Sequence, residues 1–364
     1  MLHIGNIQLD APFVQAALSG YSDAAMRLLA REYGCPYAIN EVVLDRLVGQ
    51  AGKKMRRMLA IPPDDHPVGG QLMGSEPEQF AAAANDLVEV GYDVIDINFG
   101  CPVRKVLGRC RGGFLLSVPD QARDIIRKVY DAVGDRVPVT LKMRRGMDDT
   151  AESEANFFSV LDAAFETGLS AVTVHGRTVR QRYVGPSNWE FLARVKRHVG
   201  DRVILGSGDL FSAEDCVRML SETGVDGCSI ARGAIGNPFI FRELRALLDQ
   251  AAPVGPMTFS EIAPPSITEQ RRALARHYDL VASLHGEELA GPLLRKFGVR
   301  YSELHPLSVD VKRAFLAVKS ADDWHAMLDE WYGDESRYPA VTRRLRPEAL
   351  IAAGATWDCE PAEA

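Results

Sequence analysis

Several things are missing from this chain, and each absence narrows what it can be. No run of about 18 apolar residues occurs in its 364, so no membrane-spanning helix is expected. The opening MLHIGNIQLDAP has no basic segment ahead of an apolar one. No secretory signal is therefore expected, and a cytoplasmic location follows. Cysteine is sparse and scattered: Cys35, Cys101, Cys110, Cys216, Cys228 and Cys359, with no C-x-x-C pair and no zinc spacing. No metal site is expected, and in a reducing compartment no disulfide framework. Excess positive charge is also missing. The net charge of −7 argues against a uniformly basic nucleic-acid binder.

What is present is ordinary globular composition, 46% hydrophobic and 25% charged, with a regular alternation. Short apolar runs at 12–18, 37–43, 68–73, 93–98, 138–143, 170–175, 202–207 and 226–231 read as strands. Helical patterns lie between them, as in 75–91, 120–134 and 213–223. Ser75 with Glu78 reads as a capping box, Pro77 suits a first helical turn, and Gly224 suits the residue after a helix. Eight strand–helix units predict an α/β fold, a (β/α)8 TIM barrel, over residues 1–250. The proline-bearing stretch 251–267 reads as a linker, 268–346 as a small C-terminal helical bundle, and 347–364 as a flexible tail. The chain is expected to be a monomer.

In such a barrel the chemistry belongs at the C-terminal ends of the strands. There stand Gln71, Asn98 and Cys101, Lys142, His175, the stretch GSGD (Gly206, Ser207, Gly208, Asp209), and the turn at Ala231, Arg232 and Gly233. Glycines ending strands seven and eight allow backbone N–H groups to approach an anion, so a phosphate-bearing ligand fits there. Lys142 sits within an otherwise apolar strand, where a charge needs a partner or a function. It could form an ion pair, face an electron-rich ring, or serve as a Schiff-base amine. Gln71 and Asn98 offer both donors and acceptors to a heterocycle edge. Basic residues gather without acids in Cys101–Arg111 (Arg104, Lys105, Arg109, Arg111) and in His175–Arg182 (Arg177, Arg180, Arg182).

Taken together, DINFGCPVRKV, VTLKMRRG, TVHGRTVRQRYVG, GSGDLFSAEDC and DGCSIARGAIGNPFIF, with AALSGYSDAAMRLLAREYG before and LLRKFGVRY after, resemble the tRNA-dihydrouridine synthases. The resemblance implies an FMN-bearing barrel, a helical domain that grips tRNA, and NADPH as reductant of the flavin. It assigns FMN contacts to Ala17, Leu18, Gln71, Lys142, His175, Gly206–Asp209 and Ala231–Gly233. It assigns Asn98 to the target uracil and makes Cys101 the general acid. Arg104, Lys105, Arg177 and Arg180 would then meet RNA phosphates. This chain departs from the family pattern in Ala17-Leu18 (Pro-Met elsewhere), in Ser207 (Asn elsewhere), in Ala231 (Gly elsewhere) and in Cys110-Arg111. Three rival readings stay open: a flavin barrel reductase of a free small molecule, a Schiff-base aldolase using Lys142, and an RNA-binding relative without catalysis.

Overall fold

The computed structural model describes residues 1–48, 52–250 and 262–341. Most of the expected linker, the expected tail, Cys359, and the side chains of Lys53, Lys54 and Arg56 lie outside what is described. The chain divides into two compact units. The first comprises Met1–Ser22, Cys35–Asp209 and Arg218–Ala231; the second comprises Asp23–Gly34, Leu210–Val217 and the chain from Arg232 onward.

The first unit opens with an antiparallel hairpin, β1 (Leu2–Ile4) and β2 (Ile7–Leu9), turned at Gly5-Asn6. The strands β3 (Phe13–Gln15), β4 (Ala38–Ile39), β5 (Val43–Leu44), β6 (Val68–Met73), β7 (Val94–Phe99), β8 (Val139–Arg144), β9 (Ala171–His175), β10 (Ile204–Ser207) and β11 (Gly227–Ile230) follow, all paired in parallel. The pairing of β4 with β6 closes eight of them into a barrel, and β5 continues alongside β6. The eight-stranded barrel is therefore what the alternation implied. The runs are apolar at nearly every position because both faces of a parallel sheet are covered, one by the barrel interior and one by helices. In β7 all six residues are buried.

Helices Pro77–Val90, Pro119–Val133 and Ala151–Thr167 pack on the barrel and on each other. Phe157 of the last meets Phe191 of helix Trp189–Val199 edge-on at 5.0 Å. The helix expected to begin at Ser75 begins instead at Pro77, with Glu76 as an N-cap that makes no side-chain cap bond. Proline sets the start, since its ring fixes φ and its missing N–H costs nothing in the first turn. Gly224 does end its helix, at φ 69°. The lower end of the barrel is stopped by the hairpin: Leu2, Ile4 and Leu9 join Val14, Tyr37, Ile39, Val94 and Leu205 in one buried cluster.

The second unit is helical. Four helices, Ile267–His285, Glu287–Tyr301, Ser308–Ala317 and Ala321–Tyr332, form its later part. It also includes helix Ala24–Glu32, tied to the first of these by the two-pronged ion pair of Arg276 with Glu32. Among the described residues, no helix is long and apolar enough to cross a membrane.

Ile4, 1% exposed, is a core residue of the stopper. Ile4→Ala should destabilise the protein by about 2–4 kcal/mol, read as a lowered urea midpoint. An unchanged midpoint would mean that the hairpin is not part of the core.

Candidate active site

The strand register stacks polar residues inside the upper half of the barrel. Gln71, Asp96 and Thr140 lie side by side on β6, β7 and β8. One step up, Asn98 is paired with Lys142; above that, Arg144 is level with His175, and His175 with Ser207. Asp96 is 1% exposed and accepts 2.6 Å hydrogen bonds from Gln71 Nε2 and from Thr140 Oγ1. Asn98 Nδ2 donates to Gln71 Oε1 at 2.6 Å, and Asn98 Oδ1 accepts from the Gly100 N–H at 2.9 Å. Both amides are thereby held against rotation. Burial pushes the Asp96 carboxyl up, opposed by its two hydrogen bonds and by the charge of Lys142.

Lys142 is partly open to solvent, and its ammonium reaches Ser207 Oγ at 3.5 Å. Loss of hydration pushes it down to about 8, against the pull of Asp96 and with a further push from Arg144. Ser207 passes its own hydroxyl hydrogen to the Ser229 carbonyl at 3.1 Å.

Cys101 follows β7 and is partly buried. Enclosure raises its thiol above the usual range, partly offset by a backbone hydrogen bond at Val103 and by the charge of Arg144. The loop returning from helix Arg104–Leu107 lies on it, with the Gly113 N–H donating to the Cys101 carbonyl at 3.1 Å. Arg144, which follows Lys142 at the end of its strand and to which the sequence reading gives no role, is 4% exposed and joins two loops. Its Nε donates to the Gly100 carbonyl at 2.9 Å, and one terminal nitrogen donates to the carbonyls of Thr178 (2.9 Å) and Arg182 (2.6 Å). Its guanidinium also lies 5.4 Å from the centre of the Tyr183 ring. Asp96 and Thr140 are not singled out by the sequence. A polar residue within a strand was the available signal, as it was for Lys142.

The basic residues divide sharply. Arg104 and Lys105 are exposed, and neither makes an ion pair among the described residues. Arg180 is exposed and paired with Asp148 at 2.9 Å. Arg177 departs from the expectation of a phosphate contact: it is 3% exposed, and its guanidinium holds both oxygens of Asp209 (2.7 and 2.8 Å) and the Gly185 carbonyl. Its charge is spent inside the loop, where it and the Ser187 N–H fix Asp209 in a left-handed conformation at φ 60°. Beside it, Gly208 has φ 111°, and a Cβ there would stand 2.4 Å from Ser187 Oγ and 3.0 Å from His175 Nε2. Ala17 and Leu18 are half-buried after β3, with the Leu18 N–H donating to Ser22 Oγ at 2.8 Å. Ala231 belongs to the first unit. Arg232 and Gly233 belong to the second, where Arg232 covers the Phe211 ring at 5.0 Å. Cys110 is exposed at φ 54°, the turn residue that reverses the loop after helix Arg104–Leu107. Among the described residues, no cluster of His, Cys, Asp and Glu could hold a metal ion.

Comparison with known proteins adds a family. The family described as Dihydrouridine synthase (Dus) matches residues 14–333. The chain is 32% identical over 314 residues to the probable tRNA-dihydrouridine synthase of Rickettsia prowazekii (strain Madrid E), covering 86% of this chain and 91% of that one. It is 34% identical over 349 residues to the probable tRNA-dihydrouridine synthase of Mycobacterium tuberculosis (strain CDC 1551 / Oshkosh), covering 91% and 85%. It is 31% identical over 341 residues to tRNA-dihydrouridine synthase B of Shewanella oneidensis, covering 92% and 99%. Among solved structures, histamine dehydrogenase from Rhizobium sp. 4-9 shares the fold with a TM-score of 0.52 at 16% identity. That match covers 77% of this chain, which spans only 50% of that enzyme. The 6-hydroxypseudooxynicotine amine oxidase of Pseudomonas geniculata N1 gives a TM-score of 0.55 at 14% identity, covering 95% and 67%.

Arg144→Lys keeps the charge but cannot span three carbonyls. It should destabilise the protein by about 2–4 kcal/mol, because buried carbonyls lose charge-assisted partners. Amide exchange should speed up at 100–114 and 177–185 together. Exchange unchanged in either loop would show that Arg144 does not join them.

Proposed function

Because the chain belongs to the dihydrouridine synthase family, we propose that it reduces the 5,6 double bond of uracil in specific tRNA uridines to 5,6-dihydrouridine, with FMN in the barrel mouth and NADPH as reductant. The observation that carries this reading is the meeting, at one barrel end, of an enclosed thiol at Cys101, an ammonium at Lys142 and the linked amides of Gln71 and Asn98.

The residues suit a flavin. Amide groups and an ammonium complement a heterocycle rich in carbonyl oxygens and ring nitrogens. Backbone N–H groups of the glycine-bearing turn Gly206–Asp209 would suit a phosphate, while Gly208 itself is needed because Ser187 and His175 fill the place of a side chain. Gln71, Lys142, His175 and the Gly206–Asp209 backbone would hold the cofactor, with Ala17 and Leu18 alongside. When bound, the flavin would supply the hydride.

The protein's own part is charge and proton placement. Hydride addition to one carbon of the double bond leaves electron density on the ring, and a proton must reach the other carbon. Cys101 is pushed up by burial, so near neutral pH it stays a thiol and has a proton to give. Its carbonyl and the neighbouring Gly100 carbonyl are tied to Gly113 and Arg144, which holds that thiol in place. Asn98 would face the uracil edge. A target base must leave its stack, at a cost of a few kcal/mol in a duplex and less in a loop. The exposed Arg104, Lys105 and Arg180 would meet the flanking phosphates, each contributing to a salt-dependent attraction. Arg177 would act on the same face indirectly, by shaping the Asp209 loop.

Mapping dihydrouridine in RNA from a deletion strain, with and without the restored gene, tests the reading. Positions that stay reduced in the deletion strain would sink it. Cys101→Ala should retain flavin and tRNA binding while the rate of dihydrouridine formation drops by about 10²–10⁴. A wild-type rate would remove the general-acid assignment. The pH dependence has a definite sign. Lys142 must be an ammonium and Cys101 a thiol, and both lose a proton as pH rises. The rate should therefore be level near neutrality and fall above about 8, where Lys142 titrates. A rate that keeps rising through pH 9, about one unit beyond that midpoint, would exclude a charged Lys142 from the reaction.

A further inference from the structure

The buried carboxylate of Asp96 has no part in the steps above, yet the hydrogen-bond chain that carries the two amides ends on it. We infer that Asp96 is a positioning residue that fixes the direction of every hydrogen bond from Thr140 through Gln71 and Asn98 to Gly100, and supplies the counter-charge for Lys142. An ionised carboxylate only accepts, and a backbone N–H only donates. Asp96 stands at one end of the chain and the Gly100 N–H at the other. Gln71 must therefore turn Nε2 to Asp96, which leaves Oε1 for Asn98. Asn98 must then turn Nδ2 to Gln71 and Oδ1 to Gly100. Neither amide has a free choice of orientation, although amides of this kind are otherwise easily flipped. Each amide nitrogen keeps a second N–H, so the pair can offer donors to a ligand's acceptor atoms, such as the carbonyl oxygens of uracil, rather than to the amino group of cytosine.

Among the described residues, the charged groups that act on Lys142 are Asp96 on β7 and Arg144, two residues on along its own strand; His175, at the end of β9, is level with Arg144. Only Asp96 is an anion. Asp96→Asn keeps the shape, removes the charge, and sets an N–H against one of two donors. Either Thr140 must surrender its hydroxyl hydrogen elsewhere or the whole chain of amides must reverse onto the Gly100 N–H.

The ligand selectivity rests on the proposed function; the hydrogen-bond direction and the Lys142 counter-charge do not. Two measurements on the intact protein separate them. In protein labelled with ¹³C-lysine, the Lys142 Cε signal is identified by its loss in Lys142→Arg and titrated. The wild-type midpoint should lie near about 8, and Asp96→Asn should lower it by about one unit or more. In the second measurement, tRNA reduction by Asp96→Asn should show kcat down about 30-fold with KM for tRNA within about twofold. The alkaline fall in rate should shift down with Lys142. An unmoved Lys142 midpoint in folded Asp96→Asn overturns the proposal, as does a wild-type kcat. Should Asp96→Asn fail to fold, Asp96→Asn combined with Gln71→Glu decides. That pair moves the acceptor-only carboxylate one strand along and still faces Asn98 Nδ2. Recovery of folding with the Lys142 midpoint back near that of the wild type supports the proposal, and failure of the pair to fold overturns it. Wild-type protein that reduces no tRNA would sink the proposed function while the Lys142 titration still judges Asp96.

Discussion

The site depends first on the contact that closes the ring. Ala38 and Ile39 of β4 pair with Val68 and Gly69 of β6, and without that ladder the strands would form an open sheet with two edges. The closure is tight: a Cβ on Gly69 would lie 2.3 Å from the Tyr37 hydroxyl oxygen. Glycine is needed there because another part of the chain occupies the side-chain position. Closing the ring brings β6 beside β4 without displacing it from β7. Gln71 is thereby held within reach of both Asp96 and Asn98.

The interior of the barrel is divided by height. Its lower part is apolar, filled from the hairpin and the strand starts. Its upper part holds Asp96, Lys142 and Arg144, three charges in successive layers of neighbouring strands. Burying them is costly, and such groups add little net stability compared with apolar packing. They stand at the strand ends, where barrels of this kind place their chemistry. Each has a different arrangement: Asp96 accepts two short hydrogen bonds, Arg144 donates to three carbonyls, and Lys142 makes one long contact to Ser207. Lys142 is the least satisfied of the three and keeps some exposure. Its environment suits a group that answers to something bound.

Much of this was legible in the sequence because parallel strands are apolar on both faces, so their runs stand out between amphipathic helices. Cys101, Lys142 and His175 were singled out as candidates by the rule that chemistry gathers at strand ends. The failures have physical causes. Arg177 was assigned to an RNA phosphate because its partner, Asp209, comes from a different strand end and only folding brings them together. The hairpin went unnoticed because strands of three residues are too short for alternation to register, although Gly5-Asn6 is a turn signal. Asp96 and Thr140 were overlooked, and Arg144 was given no role, because one polar residue in a strand has no meaning until the register sets it beside others. The helix cap at Ser75 failed because proline at position 77 overrode it.

The hairpin at the foot of the barrel also bears on the order of assembly. Leu2, Ile4 and Leu9 are made before Val94 and Leu205, against which they pack. Until β10 exists, these three apolar residues have no complete resting place and must wait exposed or in provisional contacts. Contacts between such distant parts of a chain form slowly, because a large loop must close before they are rewarded. The stopper is therefore made well before its last partners and is among the last segments that can settle. During that interval its apolar face is open to capture by a chaperone or by another unfinished copy.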